Sequence, residues 1–123
     1  MSEKISVAIL GSTGYVGLEL VKILSKHPNV DIVFLGTENS PNISIQKFDP
    51  SIDTRNIPDT LLNRDFDYNK ADTVFLALPH NISNEYVKFV KERLGGEPIM
   101  IPYHLKQSEL LNILPYINGL IIM

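Results

Sequence analysis

A strand, a glycine-rich turn, a helix and a second strand are packed into residues 4–36, and this arrangement restricts the possible folds more than any other feature of the chain. Residues 4–10 read KISVAIL, a short β-branched apolar run of the kind that forms a strand buried on both faces. Glycines follow at Gly11, Gly14 and Gly17. Val16, Leu20, Ile23 and Leu24 then fall at helical spacing, with Glu19, Lys22 and Lys26 on the opposite side. His27, Pro28 and Asn29 end this helix, because a proline disfavours helix at the residue before it. Residues 30–36 (VDIVFLG) form a second apolar strand. The whole unit spans about 33 residues, the size of a right-handed βαβ crossover.

The glycines have chemical as well as geometric consequences. Gly11 lets the chain turn sharply off the first strand. Gly14 has no Cβ, so a phosphate can approach the backbone, and Gly17 lets the helix pack closely on the sheet. The helix N-terminus offers unpaired N–H groups and a partial positive charge, both suited to a pyrophosphate. Ser12 and Thr13 can add hydroxyl hydrogen bonds, and Tyr15 and Val16 complete the candidate loop. The spacing is GxxGxxG, one residue longer than the common dinucleotide fingerprint. A tight turn with glycines chosen only for packing is the alternative. Glu38 lies 21 residues after Gly17, just past the second strand. An acid there takes a ribose 2′-hydroxyl and favours NAD over NADP; a solvated loop carboxylate is the competing reading.

Further along, the pattern weakens. Residues 37–70 hold Pro41, Pro50 and Pro58 among many Asn, Asp and Ser residues, a turn-rich composition. A structureless loop of that length is improbable in a compact domain, so a short strand or helical turn is expected near residues 43–48 or 60–63. Residues 73–78 (TVFLAL) are a third buried strand, stopped by Pro79. Ser83 is a candidate N-cap for a helix with Tyr86, Phe89, Val90 and Leu94 on its apolar face, closed by Gly95 and Gly96. Residues 98–101 read as a fourth strand, 106–114 as a helix and 116–123 as a last strand. The predicted fold is α/β, a Rossmann-like doubly wound parallel sheet without a separate catalytic domain. It divides into a dinucleotide-binding unit at residues 1–97 and a divergent tail at 98–123.

Composition narrows the function. The net charge of −3 shows no basic surplus, so neither nucleic acid nor an anionic membrane is an expected partner. The N-terminus has no targeting pattern, and the apolar run at residues 113–123 is about half a membrane span. A cytoplasmic location is the expectation. There is no cysteine, which removes thiolate nucleophiles and thiolate metal ligands together. No metal site and no catalytic residue is assigned. Ser12, Ser83 and Ser108 have no neighbouring base in the sequence pattern.

The run VAILGSTGYVGLELVKILSKHPNVDIVFLGTENS, followed later by DTVFLALPHNIS, resembles N-acetyl-γ-glutamyl-phosphate reductase. That enzyme family belongs to the semialdehyde dehydrogenase superfamily and serves arginine biosynthesis. The first run looks like the family's G-[AS]-[ST]-G-Y-x-G turn and HP-x-V continuation. Leu76-Ala77-Leu78-Pro79-His80 matches its LALPH element, and Ser83 matches the serine that follows. Aspartate-semialdehyde dehydrogenase, a relative, has a small glycine-containing segment there instead. The resemblance implies that residues 11–17 hold the pyrophosphate of NADP or NAD, and that Thr37, Glu38 and Ser40 face the adenosine ribose. It places Leu78, Pro79 and His80 beside the nicotinamide-side ribose; an ordinary surface histidine is the alternative for His80. His27 and His104 sit in no motif.

The sequence departs from the family in three ways. Pro41-Asn42 stands where the family often has alanine-glycine, and Glu38 where an arginine or small polar residue is common. Likeness is expected to stop near Gly96. The family's catalytic cysteine, whose thiolate attacks an acyl phosphate before hydride reduces the thioester, is absent along with its substrate domain. The expectation is therefore a chain that binds a dinucleotide without turnover. It is either a truncated or out-of-frame reductase or a short binding or regulatory module. An aspartate-semialdehyde-dehydrogenase-like fragment, or a βαβ interaction domain without nucleotide, is the remaining reading. The sequence leaves open a homo-oligomer or a complementing chain.

Overall fold

The computed structural model describes residues 4–67, 70–78, 99–100 and 119–122. Its centre is a sheet of six strands in the order β3-β2-β1-β4-β6-β5, every neighbouring pair parallel. The strands are β1 (Ile5–Leu10), β2 (Val30–Thr37), β3 (Thr60–Leu62), β4 (Thr73–Leu76), β5 (Ile99–Met100) and β6 (Gly119–Ile122). One α-helix, α1 (Tyr15–Ser25), links β1 to β2. Adjacent strands that run parallel need such a crossover, and a helix covering one face of the sheet supplies it.

The alternation of side chains along β1 divides the core into two layers. Val7 and Ile9 face α1 and join Leu20, Val21 and Leu24 of the helix in one cluster, with Ile32, Leu35 and Phe75. Ala8 and Leu10 point the other way, into a cluster with Phe34, Val74, Leu76 and Leu78. Residues 7–10 are all completely buried, as the apolar run requires of a strand covered on both sides. β2 departs from strict alternation. Val7 pairs with Ile32 but Ala8 pairs with Phe34, so Val33 is an extra residue in the ladder.

Helix α1 buries Gly17, Leu20, Val21 and Leu24, one stripe at spacings of three and one. It ends at Lys26, whose N–H bonds back to the Ile23 carbonyl, and the His27 N–H follows to Leu24. Pro28 cannot continue the ladder. His27 serves this corner, its Nδ1 accepting the Asn29 N–H at 3.0 Å.

Among the described residues, the weakly patterned stretch holds short elements at both places where one was expected. A 3-10 turn at Ile45–Lys47, capped by the Ser44 hydroxyl, lies near the helix and buries Ile45 in its cluster, beside Ile52. β3 adds to the free edge of β2, and a second 3-10 turn, Asn63–Asp65, follows it directly. Both expected positions for local structure are thus occupied. Lys22 fastens the first turn to α1 through an ion pair with Asp49 at 2.9 Å.

The tail strands belong to the same sheet. β6 pairs with β4 from Thr73↔Gly119 to Leu76↔Ile122, and β5 lies outside it. The helices expected at residues 83–94 and 106–114 lie outside the described residues, as do Pro79, His80 and His104.

Two outcomes are expected. Leu24→Ala removes a completely buried side chain from the helix–sheet cluster and should cost about 2–5 kcal/mol in urea unfolding. The Asp49 carboxyl is held down to about 2 by hydrogen bonds from the Ser51 hydroxyl and Lys22. A depressed folded-state value means that this stabilisation is complete above the unfolded carboxylate range and lost as pH falls from about 4 toward 2. Asp49→Asn should flatten the acid limb of stability in that window, measured by denaturant midpoints at successive pH values.

Candidate functional site

The C-terminal ends of β1, β2, β3 and β4 meet at one edge of the sheet, and the glycine turn sits on them. Gly11 has φ +77°, a left-handed conformation that glycine adopts without strain. A Cβ there would collide with the backbone of Ala77 and lie 2.9 Å from Leu78 Cδ2. Gly17, in the first turn of α1, has a different reason. A Cβ there would run into the Gly11 carbonyl and approach Ser12 Cα to 2.7 Å, so the helix start rests directly on the turn.

Gly14 has no such internal reason. Its backbone is extended, at φ −78° and ψ 174°, and a Cβ would meet only the Gly11 carbonyl, at an ordinary 3.6 Å. The residue is exposed and occupies the N-cap of α1. No side chain caps this helix. Leu18 N–H bonds to the Gly14 carbonyl and Gly14 N–H to Gly11, while the N–H groups of Thr13, Tyr15, Val16 and Gly17 meet no acceptor among the described residues. Four amides at the positive end of a helix dipole, beside a position where a missing side chain opens space, fit a diphosphate. Tyr15 projects next to them, 89% exposed.

Ser12 is a correction. Its hydroxyl was expected to reach a phosphate, but the residue is completely buried and its Oγ donates to the Gly36 carbonyl at 2.8 Å. The Ser12 N–H donates to the same oxygen, also at 2.8 Å. Both donors are consumed in tying the turn to β2, so Ser12 is scaffold. Thr13 and Thr37 form a second tie, their hydroxyl oxygens 3.2 Å apart. Thr37 is 1% exposed, and its Oγ1 also accepts the Ser40 N–H at 3.3 Å. The turn and the loop after β2 are thereby one assembly.

Glu38 is exposed at the start of that loop, and Ser40 is half-buried. Asn42 has φ +62°, a conformation asparagine tolerates better than most residues; it stands where the resembled family often has glycine. Thr60, completely buried, clasps the loop's far side. Its hydroxyl donates to the Ser40 carbonyl at 2.6 Å and accepts the Ile43 N–H at 3.1 Å. Leu78 is buried against Gly11 on the β4 side. The structure therefore brings residues 11–17, 37–40 and 78 to one edge. Sequence reading missed Gly36, Thr60 and Asn63, which build the edge from beneath. The only available signal was their position at strand ends.

No group of three His, Cys, Asp or Glu side chains that could hold a metal occurs among the described residues, and no helix there is long and apolar enough to cross a membrane.

Comparison with known proteins agrees with this geometry. The family profile "Semialdehyde dehydrogenase, NAD binding domain" matches residues 6–94. N-acetyl-gamma-glutamyl-phosphate reductase of Ehrlichia canis is 43% identical over 112 residues, covering 89% of this chain and 32% of the relative. The enzyme of the same name from Ehrlichia chaffeensis is 37% identical over 111 residues, with the same coverage. That of Caldicellulosiruptor saccharolyticus is 42% identical over 85 residues, covering 68% of this chain and 24% of the relative. The chain thus spans about a quarter to a third of the length of these relatives. Among solved structures, aspartate semialdehyde dehydrogenase II of Vibrio cholerae, complexed with ASA, superposes over 98% of this chain and 38% of its own. The TM-score is 0.67 and the identity 15%. Aspartate semialdehyde dehydrogenase of Candida albicans, solved with NADP, covers 80% of this chain and 29% of its own with a TM-score of 0.57 and 24% identity. These two show the fold alone. The profile match ends at residue 94, close to the expected limit near Gly96, while the two Ehrlichia relatives align over 89% of the chain. With a glycine turn on a parallel sheet, unpaired amides at the helix start and a profile match over most of its length, the chain belongs to the semialdehyde dehydrogenase NAD-binding domain family.

Proposed function

We propose that this chain is the cofactor-binding portion of an N-acetyl-γ-glutamyl-phosphate reductase, receiving NADP or NAD at the edge built by residues 11–17, 37–40 and 78. The observation that carries the reading is Gly14, whose missing Cβ serves no close contact among the described residues and opens onto four amides unpaired among them. Thr13, Gly14, Tyr15, Val16 and Gly17 hold the pyrophosphate by backbone N–H groups. Thr37 shapes the adenosine-side loop, and Glu38 and Ser40 face its ribose. Leu78, with Pro79 and His80 after it, takes the nicotinamide-side ribose.

When bound, the dinucleotide supplies hydride chemistry. The residues of this chain bind and orient it. Reduction of an acyl phosphate also needs a nucleophile and a substrate pocket, and a chain without cysteine does not provide the thiolate. Turnover therefore belongs to a larger assembly or longer polypeptide containing the rest of the reductase. A location with the soluble biosynthetic enzymes, in the cytoplasm, follows from the same reading.

Titration of the chain with NADPH and NADH, followed by nicotinamide fluorescence, tests this directly. Gly14→Asp is the matching control. The backbone at Gly14 suits aspartate, which is also a favoured N-cap, so stability should hold within about 0.5 kcal/mol. Binding should vanish, since a carboxylate now occupies the diphosphate's place. Unchanged titration in this variant would leave a βαβ interaction domain as the better description. Glu38→Lys probes the ribose side: charge reversal there should move preference toward NADPH over NADH by about tenfold.

A further inference from the structure

Gly11 is held from beneath by a residue that the preceding reading does not use. Asn63, at the end of β3, is 2% exposed, and its Oδ1 accepts the Gly11 N–H at 3.0 Å. Its carboxamide reaches the turn across the end of β2, where it lies against Gly36. A Cβ at Gly36 would collide with Asn63 Oδ1. The 3-10 turn carrying Asn63 is pinned in turn: Phe66 donates its N–H to the Asn63 carbonyl at 3.3 Å and packs its ring against that of Phe34, centroids 5.0 Å apart and planes tilted by 48°.

The other half of the carboxamide has no comparable use. Asn63 Nδ2 is buried and meets no acceptor among the described residues. A buried amide left unpaired bears its full desolvation cost, and folded proteins rarely retain one without a reason. Aspartate would offer Gly11 the same oxygen with no orphaned donor. It would also set a negative charge directly behind the turn. Asparagine is the neutral acceptor of that shape.

We infer that Asn63 is a positioning residue for the dinucleotide. It is an uncharged acceptor that fixes Gly11, and with it the unpaired amides of Thr13 and residues 15–17, without repelling a diphosphate. The inference rests on the dinucleotide reading above. Its test compares Asn63→Asp and Asn63→Leu with the wild-type chain in calorimetric titrations with NAD+ from about pH 5.5 to about pH 8.5. Burial raises a carboxyl's ionisation into that range, while the diphosphate stays ionised throughout. Wild-type affinity should stay flat. Asn63→Asp should bind like wild type at the acid end, where the neutral carboxyl still accepts from Gly11, and at least about tenfold more weakly at the alkaline end. Asn63→Leu, of similar size but without an acceptor, should bind about tenfold more weakly at every pH while remaining folded by circular dichroism. A purely structural role would lower the melting temperature of the variants and leave the pH profile of Asn63→Asp parallel to wild type; that result overturns the inference, as does undiminished affinity in Asn63→Leu. Should neither variant fold, amide exchange in the free wild-type chain decides. The Gly11 N–H should exchange as slowly as those of β1, and fast exchange overturns the inference. A wild-type chain that binds no NAD+ overturns the parent reading and this one together.

Discussion

Helix α1 can begin where it does because Gly17 brings no side chain to its contact with the Gly11 carbonyl. A methyl group at that point would overlap the backbone of the preceding turn, and the helix start would have to lift off the sheet. The close approach has two effects. It drives Leu20, Val21 and Leu24 into β1 and β2, where each completely buried side chain contributes roughly 1.5–3 kcal/mol. It also leaves the first amides of the helix pointing past the turn with nothing among the described residues to accept them. Packing and cofactor chemistry thus depend on one missing Cβ.

How legible each part was depends on how far its causes lie along the chain. The βαβ unit is local, so apolar runs, glycines and a proline stop marked it within a few residues of its observed bounds. Gly11, Gly14 and Gly17 could be recognised as a phosphate turn, but their separate duties could not. Only the fold shows that Gly11 and Gly17 are demanded by backbone contacts and that Gly14 is not. Ser12 misled because a hydroxyl in a phosphate turn suggests a ligand contact. The Gly36 carbonyl that captures it lies 24 residues away and enters only once β2 pairs with β1. Asn63 was further out of reach, its partner 52 residues distant. β3 is three residues long and is a strand because β2 offers it an edge, so composition alone could indicate only a vicinity.

The tail shows the same dependence on context. Its apolar, proline-interrupted sequence invited the idea of a segment foreign to the fold. In the structure β6 occupies the place beside β4, extending the parallel sheet from its middle, while β5 takes the outside. An order of 3-2-1-4 across the first four strands is the first half-sheet of dinucleotide-binding folds with the first strand of the second half beside it. The slot next to β4 is the continuation such a sheet needs, and here the later strand fills it.

The extra residue at Val33 has an effect disproportionate to its size. Were Val33 kept in regular alternation instead, β2 would hold a single phase from Val30 to Thr37, and every group past Ile32 would exchange sides. Leu35 would leave the helix layer, and the Gly36 carbonyl would turn away from the serine it now holds by two bonds. The irregularity is a half-period offset between the part of the strand that builds the core and the part that is tied to the glycine turn. Evolution of this edge is accordingly constrained in register: removal of Val33 would still leave Phe34 opposite Ala8 and Leu35 opposite Ile9, whereas drawing Val33 into regular alternation would invert the strand's presentation to everything downstream.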